Sequence, residues 1–343
     1  MITRLARRVV AKQHHAFSAY ADASSEGCQG TFVRRGYVPF ATPNAVLNQA
    51  TVERVQSRLP LLFRGDFDTG VYPDEMHWRE GISKDDAPRE IVNAWKADRT
   101  IAAVVLAEHL GRLAATIAGW QSARVAQDDI VWKPPGSGPV AYHQDSAYIS
   151  TQFVPLNTKY ENNSVTVWMP LDDCDRKVGT IEYATFTDRL KPGELPTIPS
   201  GPSSTPSFHG ATGLNYRAPA EAAGRKLGRG VEFDPVAVPA GGCVVHGQDC
   251  WHGSAPNVST HRHRRALVVH FLRGDVNFIE GHSLEGTGGP SYIYSRYKRI
   301  GSTEVSEEAF PITFSQGGYR TPWIEAYLGE KASQAMTDAP VTR

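Results

Sequence analysis

Val140-Ala141-Tyr142-His143-Gln144-Asp145 decides the reading of this chain, together with His252-Gly253-Ser254-Ala255-Pro256-Asn257 much further on. The first stretch follows the turn-forming run Pro134-Pro135-Gly136-Ser137-Gly138. Residues 140–148 are aromatic and β-compatible, so the spacing predicts a strand over Val140–Tyr148. Side chains two apart on a strand share a face, which brings His143 and Asp145 to one point and turns Gln144 away. With His252 they make a two-histidine, one-carboxylate set. Such a set holds one face of an octahedral Fe(II) and leaves three positions for oxygen chemistry. The candidate metal ligands, and catalytic residues, are therefore His143, Asp145 and His252.

Working outward, Gly241-Gly242-Cys243-Val244-Val245-His246 reads as a turn entering a second strand that leads to His252. Ligands so far apart in sequence imply a closed β fold that brings distant strands together. Arg264-Arg265-Ala266-Leu267-Val268-Val269-His270-Phe271 reads as a third strand. Alternation puts Arg264, Ala266 and Val268 on one face and Arg265, Leu267 and Val269 on the other. An arginine pointing into a barrel is costly unless it meets an anion. A guanidinium suits a carboxylate through two parallel hydrogen bonds, and the spacing favours Arg264 for that role.

Five blocks resemble the phytanoyl-CoA dioxygenase family of Fe(II)/2-oxoglutarate oxygenases. They are Lys-Pro-Pro-x-Ser-Gly at 133–138, His-Gln-Asp at 143–145, Val-Thr-Val-Trp-Met-Pro-Leu-Asp-Asp at 165–173, His-Gly-Ser-x-x-Asn at 252–257 and Arg-Arg-Ala at 264–266. The resemblance implies a mainly β chain with flanking helices, a double-stranded β-helix (jelly roll, cupin-like). It implies Fe(II) on His143, Asp145 and His252, and 2-oxoglutarate as cosubstrate with Ser254 and Arg264 on its distal carboxylate. Trp168 matches a position lining the cosubstrate pocket, and ascorbate is a candidate reductant. The expected reaction is hydroxylation of an aliphatic C–H bond of an acyl-CoA or small metabolite by O2. The competing reading is a non-catalytic metal-binding protein on the same fold, since a jelly roll carries many functions. Where the family has Pro-Gly-Ser/Thr-His, this chain has Val178-Gly179-Thr180-Ile181, which keeps the glycine but lacks the proline and the histidine. Asp145 is a carboxylate, which disfavours the halogenase variant that lacks it.

The 343 residues carry 36 basic and 36 acidic side chains. No basic field points to nucleic acid, and no apolar run reads as a membrane span. Cys28, Cys174, Cys243 and Cys250 lack metal or disulfide spacing and read as reduced thiols of an intracellular protein. Residues 1–27 hold Arg4, Arg7, Arg8 and Lys12 with no acid before Asp22, a composition that reads as a targeting segment. Arg8-Val9, five residues, then His15-Ala16 resembles an amino-terminal peroxisomal signal; a mitochondrial presequence and a simple tail of a cytoplasmic protein are the alternatives. Residues 28–343 read as one oxygenase domain, with a helical part over about 40–125 and a jelly-roll core over about 128–275. Within the helical part, 43–59 and 91–120 read as helices, with 63–73 a loop between them. Residues 192–207 read as a long insertion of lid type. Residues 290–298 mix aromatics with cations and read as packing against the barrel.

Overall fold

Alternating side chains on neighbouring strands set the architecture of the computed structural model, which describes residues 25–149, 152–154, 163–186, 215–280 and 292–329. Strands and helices are numbered along the chain. The main sheet runs in the order β1 (Tyr37–Phe40), β10 (Cys243–Gly247), β7 (Ser164–Pro170), β12 (Arg264–Arg273), β4 (Ser122–Lys133), β3 (Arg89–Val92), β2 (Glu75–Met76). β14 (Ile312–Ser315) also pairs with β4. The second sheet is β5 (Val140–His143), β11 (His252–Ser254), β8 (Ile181–Phe186), β9 (Val231–Pro235). β13 (Asn277–Phe278) and β6 (Phe153–Val154) form a short separate pair. These pairings are antiparallel, the arrangement expected of a jelly roll.

The two faces of the main sheet differ in kind. On β12, Leu267, Val269 and Phe271 join an outer core with the helices, while Ala266 and Val268 pack inward against Ile181 and Tyr183 of β8. The outer core is covered by α1 (Ser25–Arg35), α2 (Gln49–Leu62), α3 (Arg99–Val105) and α4 (Glu108–Ala118). α5 (Ala218–Lys226) lies beside β5 and β9. α6 (Tyr292–Ser295) is a single turn whose Tyr294 is buried with Phe153, Phe278 and Phe310. Of the segment 290–298, Tyr294 is core and Tyr297 donates to Asp74, while Arg296 is exposed and pairs with Glu75.

Helix boundaries are moved by local chemistry. α2 starts at Gln49 and not at 43, because the Asn48 side chain accepts from Thr51 N at 2.8 Å. The run 91–120 is not one helix. β3 occupies its start, Asp98 caps α3, and extended backbone at Ala107 (φ −66, ψ 130) separates α3 from α4. Arg99–Ala118 is long and apolar enough by composition to cross a membrane, which the sequence reading missed; here it is two helices, mostly buried inside the fold. The loop 63–73 is tied to helices, Arg58 pairing with Asp66 and Arg99 with Asp68. β1, β3 and β14 join the main sheet from outside 128–275. All four cysteines are free thiols. The targeting segment (but for its last residues) and the insertion 192–207 lie outside the described residues.

The division into two faces predicts where stability resides. Leu267→Ala, at a fully buried outer-face position, should lower unfolding free energy by about 2–5 kcal/mol in urea titrations. Val33→Ala, on α1 at 82% exposure, should change it by no more than about 0.5 kcal/mol.

Candidate metal centre

His143 and His252 meet because β5 and β11 pair with these two residues opposite one another, ring centroids 4.2 Å apart. β5 ends at His143, not at Tyr148, which corrects the predicted strand. The extended backbone continues through Gln144 (φ −123, ψ 136), so the alternation still holds, and the chain turns at Asp145. The turn is fixed by Ile149 N donating to Asp145 O at 2.9 Å and by Ser146 N donating to Gln248 O at 2.9 Å. Gln144 faces away, its amide donating to Asp249 O at 2.6 Å.

Asp145 Oδ1 lies 3.8 Å from His143 Nε2 and 3.6 Å from His252 Nε2. One ligand atom from each of the three residues falls within 4.8 Å of the others. Each imidazole donates from Nδ1 to the carbonyl two residues before it, His143 to Ala141 O at 2.8 Å and His252 to Cys250 O at 2.9 Å. That fixes the tautomer and orients Nε2 as the metal-binding atom. Burial pushes the His143 pKa down to about 3, with His252 adding to it, and the His252 pKa down to about 4. Both rings are neutral donors at neutral pH. Two neutral imidazoles and a carboxylate fit a divalent first-row metal such as iron.

Asp145 is fully buried. Tyr148 donates to Oδ1 at 2.7 Å and Thr166 to Oδ2 at 2.5 Å. His246 Nε2 and His270 Nδ1 stand 3.4 and 3.5 Å from Oδ2. Burial alone would raise the Asp145 pKa, but the surrounding histidines hold it well below the usual carboxylate range. His270 bridges Thr166 Oγ1 at 2.8 Å and Asp129 Oδ2 at 2.9 Å. Thr166 gives its only proton to Asp145, so it accepts from His270 Nδ1–H, while Asp129 accepts from Nε2–H. Burial opposes the charged ring, but Asp145 and Asp129 outweigh it and push His270 up to about 10. Gln127 anchors the far end, its amide donating to Asp129 Oδ1 at 2.7 Å. Ala126 is the extra residue of a β-bulge beside His270, where Gln127 and Val125 pair with His270 and Phe271.

A second polar group sits further along the same strands, Ser254 one alternation from His252 and Arg264 three from His270. Arg264 is 3% exposed, its Nη2 donating to Ser254 Oγ at 2.9 Å and its Nε to Gly179 O at 3.2 Å. Its guanidinium lies 5.8 Å from the centroid of the Trp168 ring. Lys133 pairs with Arg264 in the β4–β12 register, is fully buried, and donates to the same Ser254 Oγ at 3.0 Å and to Ala255 O. Among the described residues neither cation has a carboxylate partner. Burial, with Arg264 nearby, holds the Lys133 pKa well below its usual value, and burial lowers Arg264 to about 10. Gly179 has φ +69, and a Cβ there would collide with Ala255 O and lie 2.9 Å from Lys133 Nζ. The retained glycine is therefore a packing requirement of this pocket. Arg265 points the other way, to Asp172.

His143, Asp145, His252, Ser254, Arg264 and Trp168 thus line one interior. The sequence reading gave no role to Lys133, Tyr148, Thr166, His246, His270 or Asp129. Period-two extension from Arg264 through Val268 reaches His270, and from Trp168 back reaches Thr166, so a signal existed for those two. Lys133 stood inside a quoted block.

A model of the phytanoyl-CoA dioxygenase (PhyH) family matches residues 32–266, and the chain belongs to that family. No curated protein matches the chain. Among solved structures, the non-heme α-ketoglutarate-dependent epimerase SnoN of nogalamycin biosynthesis superposes with TM-score 0.55 at 16% identity, over 85% of this chain and 99% of that one. SnoN in complex with Fe3+, α-ketoglutarate and nogalamycin RO gives TM-score 0.57 at 16% identity with the same coverage. The carbocyclase SnoK of the same biosynthesis gives 0.55 at 19% identity, over 84% of this chain and 95% of that one. At these identities the likeness is one of fold.

The buried titrations give the metal-free fold two opposing pH limbs. His143 and His252 are depressed from 6.5 to about 3 and about 4, so the unfolded chain binds more protons and stability falls as pH drops below 6.5. His270 is raised from 6.5 to about 10; its contribution is complete below 6.5 and is lost as pH rises towards 10. Urea unfolding of the chelator-treated protein across this range should show the alkaline decline flattened in His270→Gln. An unchanged alkaline limb would mean that His270 is neutral in the fold.

Proposed function

We propose that this member of the phytanoyl-CoA dioxygenase family is an Fe(II)- and 2-oxoglutarate-dependent oxygenase. In this reading it hydroxylates an aliphatic C–H bond of an acyl-CoA or a small metabolite. One observation carries the proposal: a three-donor metal cluster and a pair of buried cations, neither with a carboxylate partner among the described residues, share the interior of one barrel. His252 and Ser254 are two residues apart on β11, about 6.5 Å along a strand. A short keto diacid spans that interval, its keto-acid end at the metal and its far carboxylate at the cations. SnoN with Fe3+ and α-ketoglutarate bound supports the reading on the same fold.

His143, Asp145 and His252 would hold iron on one face and leave the other for cosubstrate and O2. Bound iron would supply the one-electron chemistry that activates O2. The protein's own part is binding, orientation and exclusion of water. Arg264 and Lys133 would receive the distal carboxylate, Ser254 would stay oriented by both cations, and Trp168 would wall the pocket. Thr166 and Tyr148 keep Asp145 in a single orientation, so the ligand oxygen does not have to be ordered when metal enters. Asp145 occupies the position that a halide would need, which favours hydroxylation over halogenation. The acyl-CoA alternative rests on the family alone, and a substrate screen scored by succinate release addresses it.

Arg264→Ala should weaken 2-oxoglutarate binding by about 2–5 kcal/mol, the usual loss on truncating a buried charge pair, with Fe(II) affinity nearly unchanged. Lys133→Met should act in the same direction. Arg265→Ala should do little, because its partner Asp172 lies on the other face. The measurement is an anaerobic titration followed by the visible charge-transfer absorption of the iron–cosubstrate complex, with iron affinity determined separately. An iron-loaded wild-type protein that shows no such band and forms no succinate would be the inert metal protein instead.

A further inference from the structure

Two stacked tyrosines lead from the metal ligands to an exposed ion pair at the surface. Tyr183 of β8 lies with its ring centroid 6.2 Å from that of His252 and 5.5 Å from that of His246. Tyr37 of β1 stacks on Tyr183 across the two sheets, centroids 4.0 Å apart and planes 9° from parallel. Aromatic pairs usually sit about 4.5–7 Å apart, so this contact is close. Both side chains are fully buried.

Each phenol also has a proton acceptor. The Tyr183 hydroxyl is 3.0 Å from His246 Nδ1. The Asp145 carboxylate, 3.4 Å from His246 Nε2, favours the ring proton on Nε2 and leaves Nδ1 to accept. The Tyr37 hydroxyl donates to Asp234 Oδ2. Asp234 is 41% exposed and pairs with the half-exposed Arg35. Core packing alone would be met by phenylalanine at either position. Phenols whose protons already point at bases are what one-electron oxidation requires, since a phenol loses its proton as it loses its electron.

We propose that Tyr183 and Tyr37 are a hole-transfer path that drains oxidising equivalents from the metal site when O2 is consumed with no substrate bound. The proposal rests on the oxygenase reading above. The metal-centred oxidant takes one electron from Tyr183, whose phenol proton moves to His246 Nδ1, leaving a neutral tyrosyl radical. Tyr37 then gives an electron to Tyr183, which recovers its proton from His246, while the Tyr37 proton passes to Asp234 Oδ2. A soluble one-electron reductant of the ascorbate class reduces Tyr37 near Arg35 and Asp234, and Asp234 returns the proton. A second passage, with two protons from solvent that carry the activated oxygen away as water, returns the metal to its resting state. The protein is restored, and two equivalents of reductant are oxidised.

The test uses the full chain loaded with iron(II) and 2-oxoglutarate, exposed to O2 without substrate or reductant. Succinate is counted, rapidly frozen samples are examined by electron paramagnetic resonance, and oxidised peptides are mapped by mass spectrometry. Wild type should show a neutral tyrosyl radical that Tyr183→Phe abolishes. In Tyr37→Phe the radical should form and persist on Tyr183. Both variants should inactivate after several-fold fewer succinates, and added ascorbate should prolong the wild type more than either. Should Tyr183→Phe fail to fold or bind iron, Tyr37→Phe carries the test, because Tyr37 touches no metal ligand and its first turnover should run at the wild-type rate. If wild type releases succinate but shows no tyrosyl radical, or if the variants match it in radical and in turnovers survived, the path is refuted. If wild type shows the iron–cosubstrate absorption band but releases no succinate without substrate, the path has nothing to drain and is refuted; if it shows neither band nor succinate, the oxygenase reading itself fails and takes this inference with it.

Discussion

Asp145 is removed from water yet keeps its charge, and several elements of the barrel supply what that requires. A buried carboxylate costs several kcal/mol unless nearby donors and charges replace its hydration. Thr166 comes from β7, His246 from β10 and His270 from β12, three adjacent strands of the main sheet. Tyr148 comes from the turn that follows Asp145 itself. His270 is held in turn by Asp129 on β4, the next strand over. The register of four strands is therefore tied to one side chain. A slip of one residue in β12 would replace His270 with an aliphatic or aromatic neighbour and take the ring that joins Thr166 and Asp129 out of the network around Asp145.

The interior charges separate into two unmatched ends. His270 and Asp129 balance each other, which leaves Asp145 with a net negative charge beside two neutral imidazoles. At the other end Arg264 and Lys133 share one serine hydroxyl and have no acid among the described residues. A low-dielectric interior does not keep such charges apart without a purpose. A cation at the first end and an anion at the second remove both penalties, and a ligand that is at once chelated by the metal and extended to the cations removes them together. Such a ligand would make the binding of metal and cosubstrate favour one another.

Much of this was legible because the strands obey period two. His143 with Asp145, and Arg264 with Ala266 and Val268, were placed on the correct faces from spacing alone. Gly179 stood out only as the glycine kept in a segment that otherwise departs from the family. What sequence did not reveal were the residues whose roles depend on which strands become neighbours. Nothing local links Thr166 to Asp145 or Lys133 to Arg264; those contacts exist only once β7, β12 and β4 lie side by side. Boundaries failed for local reasons. The strand at 140 stops early because Asp145 begins a turn, and the long apolar run after Asp98 divides where Ala107 leaves the helical region.

The edge strand shows how a segment without ligands still shapes the site. Among the described residues β1 pairs with β10 alone, and that pairing sets Tyr37 opposite His246 in the register. Its side chain can then cross to Tyr183 in the second sheet, while its hydroxyl reaches Asp234 on β9. One residue thus ties an edge strand, the facing sheet and the surface to the ring that stands against the metal ligands. Covering β10 with β1 also removes an open edge that would otherwise present unpaired backbone groups beside His246. The same strand that closes the barrel connects its interior to the outside, so the electronic isolation of the metal site is decided at its edge as much as at its centre.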